Sequence, residues 1–373
     1  MARKPARGPA IAGLRHDDPE SFQRERERIL LPSWQPACHL SDLPGPGTAV
    51  RVDFLGRSAF VLRGADGTFR AFLNACRHRG TRLVEGDPHT ALAYCVDSKV
   101  RCPYHAWVYD ETGALIDVPG GDRYPGLEPA QLGLHPLPLA TALGFVFVAF
   151  AAPARPLADM LAPVTDRLGP RRFEALRRVG EPRMRPYRAD WKVLCEHHLD
   201  RHRLACMPIV AGADGEFAPR PAATDDSLHF SAAIAANDAQ PWSARAYAYW
   251  LPRAGAPASG GTADWSRCYL WPNVVLDVYP DEVRLAQVLP LAAGECAIRE
   301  SVFAQPDGAR EMRIARYLNA RVRRRTAGED LRLVERRQAG LATGDGAAGP
   351  LAVDEHGLRW FEERAAVARR ARA

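Results

Sequence analysis

A chain of 373 residues that is 47% hydrophobic can bury two cores, and it contains no apolar run of about eighteen residues long enough to cross a membrane. The net charge of +6 comes almost wholly from arginine, since lysine stands only at positions 4, 99 and 192. The densest basic run, Arg321-Val322-Arg323-Arg324-Arg325, has no interleaved aromatics and reads as a solvated helix face, so no nucleic-acid surface is expected. Eight scattered cysteines do not make a disulfide scaffold. The basic stretch Met1 to Arg7 leads into no apolar segment, so a cytoplasmic protein without a secretory signal is expected.

Asp18-Pro19-Glu20-Ser21 ahead of Phe22 to Leu31 reads as a capped helix stopped by Pro32. With the apolar segment around Trp34 it forms an N-terminal piece, residues 1–43, expected to pack on the later domain. From Thr48 the hydrophobic period changes to two: Val50, Val52 and Phe54 alternate with polar residues, and Ala65-Asp66-Gly67 and Glu111-Thr112-Gly113 are turn signals. Residues 44–150 thus read as an all-β domain. Asp87-Pro88-His89 and Cys95 fall in a surface loop within it.

After the Pro153 to Pro156 linker come helix-like segments at Leu157 to Leu168, Arg171 to Val179 and Trp191 to about Cys206. A second β region then takes in Leu228 to Ala235, Ala246 to Leu251, Cys268 to Tyr279, Val283 to Pro290 and Cys296 to Phe303, with a small-residue loop at Gly255 to Gly261. Helices are expected at Glu311 to Ala339 and from Gly357 onward. The fold class is α+β: a β domain inserted near the N-terminus of a larger domain of antiparallel sheet and helices, residues 151–373.

The chemistry concentrates in Cys76-Arg77-His78-Arg79-Gly80 and Cys102-Pro103-Tyr104-His105, with 23 residues between the halves. Each half offers one thiolate and one imidazole at the tip of a hairpin. Two cysteines on one iron and two histidines on the other is the ligand set of a Rieske [2Fe–2S] centre. Structural zinc accepts the same residue types, but its motifs pair Cys with Cys and His with His along the chain, and here each half is mixed. Cys76 and Cys102 are expected to hold the inner iron, His78 and His105 the outer, redox-active one. Neither a dinucleotide fingerprint nor a second cysteine cluster is present, so a separate reductase or ferredoxin must supply the electrons.

With these motifs, Trp34-Gln35, Trp191-Lys192, Trp271-Pro272-Asn273, Asp277-Val278-Tyr279-Pro280 and Glu329-Asp330, the chain resembles the alpha subunits of Rieske non-haem iron oxygenases, the ring-hydroxylating and choline or betaine monooxygenase group. The resemblance implies a second centre, a mononuclear Fe(II) bound by two histidines and a carboxylate, with open positions for dioxygen beside a small organic substrate. It also implies a homo- or hetero-trimer or a hexamer, in which the cluster of one subunit feeds the iron of its neighbour through a bridging acid. Asp200 matches that acid and Asp330 the carboxylate ligand.

The iron histidines do not match. Without a gap Arg203 falls at the first of them; with a one-residue deletion His202 does, and Met207 falls at the second. A thioether is a poor substitute for imidazole on Fe(II). His198 and His202 stand four apart and on one continuous helix would share a face, so with Asp330 they could rebuild the site. Two functions follow: an oxygenase that hydroxylates or N-demethylates at its own iron, or a non-catalytic Rieske subunit relaying electrons to a catalytic neighbour.

Overall fold

The computed structural model describes residues 18–86, 91–93, 99–168, 171–209, 226–235, 238–255, 264–306, 308–343 and 349–370. The basic N-terminal stretch, the loop positions Asp87 to His89 and Cys95, and most of the Gly255 to Gly261 loop lie outside them. The chain divides into two compact units. One comprises Leu31–Ala158 and Arg172–Arg178; the other comprises the chain up to Leu30, Asp159–Arg171 and Val179–Ala373. The smaller unit is therefore an insertion in the larger. No helix among the described residues is long and apolar enough to cross a membrane.

The smaller unit is built of short antiparallel strands. β1 (Gln35–His39) pairs with β10 (Phe145–Val148), which pairs with β9 (Leu139–Ala142). A second sheet runs in the order β4 (Phe69–Leu73), β3 (Arg57–Arg63), β2 (Thr48–Phe54), β5 (Ala91–Ala93), and a third in the order β6 (Lys99–Arg101), β7 (Val108–Asp110), β8 (Leu115–Asp117). The β2–β3 hairpin closes on Leu55 and Gly56, both at positive φ (51° and 76°), the backbone that matches the twist of a tight hairpin. Gly113 in the β7–β8 turn has φ +87°, and a Cβ there would come within 2.5 Å of the Phe72 ring, so only glycine lets the second and third sheets meet. Phe60, Phe72, Trp107, Tyr109 and Leu134 fill the core between them. The segment Arg171 to Val179 contains a 3-10 turn, Phe173–Ala175, and the two-residue strand β11 (Arg177–Arg178), in place of the expected helix.

In the larger unit an antiparallel sheet runs β12 (Arg183–Tyr187), β17 (Glu295–Ala304), β16 (Val283–Ala292), β15 (Val274–Val278), β14 (Asp264–Leu270), β13 (Ser227–Ala233). α1 (Pro19–Glu25), α2 (Leu157–Thr165) from Asp159 onward, α3 (Trp191–Leu199), α4 (Arg201–Ala205), α5 (Trp242–Arg253), α6 (Arg310–Leu341) and α7 (His356–Arg370) belong to the same unit. α5 corrects the expectation of a strand at Ala246 to Leu251. The alternation of small and aromatic residues there imitates a period of two, but the buried positions are Ser243, Ala244, Tyr247 and Leu251, a helical spacing. Tyr247 donates to Asp281 at 2.6 Å, and Asn319 of α6 donates to the same carboxylate at 3.1 Å.

α3 is anchored at its start by a buried charge cluster. Asp190 caps the helix by accepting the Lys192 N–H at 3.0 Å, and the Lys192 ammonium reaches Asp190 and Glu25, each at 2.7 Å. Glu25 also accepts the Trp191 indole N–H at 3.0 Å. All three charged side chains are almost fully buried, so removing the cation strands two carboxylates without water. Lys192→Met should lower the unfolding free energy of this unit by about 3–5 kcal/mol in a guanidinium titration followed by far-UV circular dichroism; an unchanged midpoint would show that the cluster contributes nothing.

Candidate metal centre and the cavity of the larger unit

The two ligand loops have one backbone design. In the first, the Cys76 carbonyl accepts the Gly80 N–H at 2.8 Å; in the second, the Cys102 carbonyl accepts the Ala106 N–H at 3.1 Å. Each loop closes on a residue at positive φ, Gly80 at 73° and Ala106 at 59°. For alanine that conformation costs about 1–2 kcal/mol, so the second loop is held under local strain. Asn74 secures the first loop: its Oδ1 accepts the Leu83 and Val84 N–H groups, both at 2.9 Å, and its amide donates to the Val84 carbonyl at 2.7 Å.

The loops bring Cys76, His78, Cys102 and His105 together. Both cysteines are 3% exposed. The His78 and His105 rings meet edge to face with centroids 4.7 Å apart. Trp107 lies flat on His78, centroids 4.7 Å apart and planes 6° from parallel, which fixes the ring's orientation. The Nδ1 atoms of His78 and of His105 are both buried and have no hydrogen-bond partner in the protein. Two half-buried imidazoles whose buried Nδ1 atoms are both left free beside two buried thiols are what a cluster with mixed ligation requires. Burial, helped by the nearby His105 and Arg79, pushes the His78 pKa down and keeps the ring neutral, the ligating form. Burial raises the Cys76 thiol against a lowering hydrogen bond from Tyr109, so the thiolate needs a bound cation to persist.

Tyr109 and Trp107 touch the candidate ligands Cys76 and His78, and motif reading passed over them. The Tyr109 hydroxyl accepts the Arg77 N–H at 2.9 Å and lies 3.2 Å from Cys76 Sγ. Once Cys76 is a ligating thiolate it has no proton to give, and the Tyr109 hydroxyl is the donor of that pair. Their signal in the sequence was the aromatic pair in Trp107-Val108-Tyr109, directly after the second ligand loop.

In the larger unit a cavity of about 560 Å³ opens between α3, α4, the sheet and α6. On its wall, Asp330 Oδ1 receives His197 Nε2 at 3.0 Å and the Arg203 guanidinium through Nη2 at 2.8 Å and Nε at 3.2 Å. Burial alone would raise the Asp330 pKa, but the hydrogen bonds and charge of His197 and Arg203 outweigh it and hold the carboxyl far below its usual range. A buried ionic chain continues behind: Arg267 binds Asp277 at 2.6 Å, Asp277 binds Arg284 at 2.6 Å, and Arg284 binds Glu300. Against the burial that would raise it, Arg267 and Arg284 bring Asp277 down to about 2.

The set His198, His202 and Asp330 is not assembled. α3 ends at Leu199, and Asp200 leaves the helix with φ −70° and ψ 111° before α4 begins, so positions 198 and 202 do not share a helix face. His202 is exposed, while His198 is buried along the cavity with Nε2 unpartnered. Burial and the Arg267 and Arg284 charges keep His198 neutral. Asp200 accepts the Arg203 N–H at 3.2 Å and caps α4. Met207 lines the cavity. The carboxylate expected to hold iron is engaged by a guanidinium and an imidazole. A mononuclear iron does not fit these residues as they stand. His197, which the sequence reading did not select, is the histidine that meets Asp330.

Two family models match the chain: the Rieske [2Fe-2S] domain over residues 33–131 and the ring-hydroxylating alpha subunit catalytic domain over residues 218–369. The large oxygenase component of the 2,4-dinitrotoluene dioxygenase system of Burkholderia sp. (strain RASC) is 34% identical over 191 residues, 50% of this chain and 41% of that protein. The glycine betaine monooxygenase oxygenase subunit of Chromohalobacter salexigens is 31% identical over 185 residues, 50% of this chain and 40% of that protein. The chain thus spans less than half the length of these curated relatives. Among solved structures, a quaternary ammonium Rieske monooxygenase described for carnitine oxidation by gut microbiota and inter-subunit electron transfer superposes with a TM-score of 0.76. That match has 20% identity and covers 95% of this chain and 94% of the other. Naphthalene 1,2-dioxygenase from Rhodococcus sp. gives a TM-score of 0.69 at 21% identity, over 96% and 94% of the two chains. These structural likenesses establish the fold. The chain thus matches a Rieske [2Fe-2S] domain followed by a ring-hydroxylating alpha subunit catalytic domain, and the relatives it resembles are large or oxygenase subunits of Rieske oxygenases.

A hydrogen bond to a ligand sulfur favours the reduced, more negative cluster. Tyr109→Phe should therefore lower the midpoint potential by roughly 40 mV, the worth of one hydrogen bond of about 1 kcal/mol at about 59 mV per tenfold. The visible spectrum should survive; a potential equal to that of the parent protein would show that the hydroxyl donates elsewhere.

Proposed function

We propose that this chain is the electron-transferring subunit of a Rieske oxygenase assembly whose oxygen chemistry takes place at an iron on a neighbouring catalytic chain. The observation that carries this reading is the Arg203 guanidinium on Asp330 Oδ1. A carboxylate that already neutralises a fixed cation offers little to a metal ion, and the neighbouring imidazoles are His197, itself bound to Asp330, and the buried His198.

Cys76 and Cys102 with His78 and His105 are the residues that would hold the [2Fe–2S] cluster. When bound, such a cluster passes one electron at a time at a potential of roughly −150 to +300 mV. The protein's part is to keep the His78 imidazole neutral, to fix its ring against Trp107 and to set the Tyr109 hydroxyl beside Cys76. Transfer between subunits is described for the quaternary ammonium monooxygenase that shares this fold, which supports a role for a chain whose own second centre is closed. The bridging role expected of Asp200 belongs to the same proposal.

The assembly would hydroxylate or N-demethylate a small organic substrate, as the glycine betaine, carnitine and dinitrotoluene relatives suggest, with electrons from a separate reductase or ferredoxin. A second reading keeps the oxygenase activity on this chain. It is favoured by His198, whose buried, unpartnered Nε2 lines the same cavity as His197 and Asp330; it requires Arg203 to swing away.

Iron and sulfide analysis of the aerobically purified protein separates the two. The relay predicts only the cluster's own pair of irons per chain. A further iron, lost in Asp330→Ala, would establish the second reading. Arg203→His should let the larger unit take up added Fe(II) or Co(II) with Asp330 and His197, because it exchanges the blocking cation for a ligand.

A further inference from the structure

We propose that the cavity beside Asp330 is a binding site for a small organic carboxylate. The cavity persists although its iron end is closed, and about 560 Å³ lies within the range of sites for small organic ligands. Its interior charges cancel in pairs: Arg203 with Asp330, Arg267 and Arg284 with Asp277 and Glu300, and Arg323 with Glu282.

What remains on the lining is an excess of one sign. Arg183, Arg185, Arg316 and Arg324 carry no ion pair among the described residues, and only Glu181 stands against them. Glu329 is taken by Arg325, which is not part of the lining. Arg316 is fixed by donating to the Asp281 and Gln305 carbonyls at 3.1 and 2.9 Å, which orders its guanidinium without neutralising it. Guanidinium groups that no carboxylate pairs directly, one of them held in place, favour planar anions at a concave site and can grip them with paired hydrogen bonds.

A second observation comes from the interior. His198 Nε2 is buried on the cavity wall and has no partner in the protein, a position a ligand oxygen would satisfy. The rest of the wall is apolar, with Ile209, Val302, Val322 and Tyr279, so the carboxylate should carry a ring or short chain to cover it. A quaternary ammonium group would instead meet the arginine excess. The inference concerns binding alone and holds whether or not this chain has an iron of its own.

Isothermal titration of the cluster-loaded chain with benzoate, and with benzyltrimethylammonium as the same ring with the opposite charge, tests it. Benzoate should bind at least about tenfold more tightly than the cation. Arg185→Ala with Arg324→Ala should weaken benzoate by about tenfold or more, the loss of charge-assisted hydrogen bonds. Ala320→Trp, which fills the cavity from α6, should abolish binding while thermal unfolding stays cooperative; if that variant does not fold, the arginine double variant decides alone. No heat with benzoate up to millimolar concentration, tighter binding of the cation, or undiminished benzoate binding in the double variant would each overturn the proposal.

Discussion

One carboxylate oxygen, Asp330 Oδ1, accepts from both the Arg203 guanidinium and the His197 ring, and the organisation of the larger unit turns on that contact. A half-buried carboxylate deep in a cavity needs a positive partner, because removing it from water unpaired costs several kcal/mol. A divalent metal can supply that charge, and so can an arginine that presents fixed donors to the same oxygens. The two solutions exclude one another at this position. With the guanidinium in place the unit gains a permanent counter-charge that needs no ligand geometry and no metal supply.

The smaller unit is organised by a different constraint. Four ligating atoms must be presented from two loops that are distant in sequence, so each loop closes on its own cysteine carbonyl and bends through a left-handed residue. Around them Asn74, Trp107 and Tyr109 remove the freedom that remains: one holds the loop, one the ring, one the sulfur. None of these contacts involves the larger unit. A chain can therefore lose its second centre and still keep every group that a cluster needs, and this independence makes a relay role physically coherent.

Much of this was legible from residue spacing. Cys76, His78, Cys102 and His105 form two short local motifs, and local motifs survive without knowledge of the tertiary fold. The antiparallel strands and α6 follow from hydrophobic period. The helix at Trp242–Arg253 did not, because Ala246-Tyr247-Ala248-Tyr249 alternates by size while the buried face follows a helical spacing. His197 was missed for a longer-range reason. Which histidine meets Asp330 depends on the break at Asp200 and on a contact across more than a hundred residues, and neither leaves a mark in the spacing of His197, His198 and His202. The departure at Arg203 was visible in the sequence; that the arginine would bind the carboxylate left without its histidine partner was not.

Electron paramagnetic resonance of the reduced, cluster-loaded protein treated with nitric oxide tests the central claim most directly, since nitric oxide reports a ferrous ion with an open position. With Arg203 closing the Asp330 site, the spectrum should contain the reduced cluster and no ferrous nitrosyl. A ferrous nitrosyl signal in proportion to the chain, abolished by Asp330→Ala, would contradict the account and return the oxygen chemistry to this subunit.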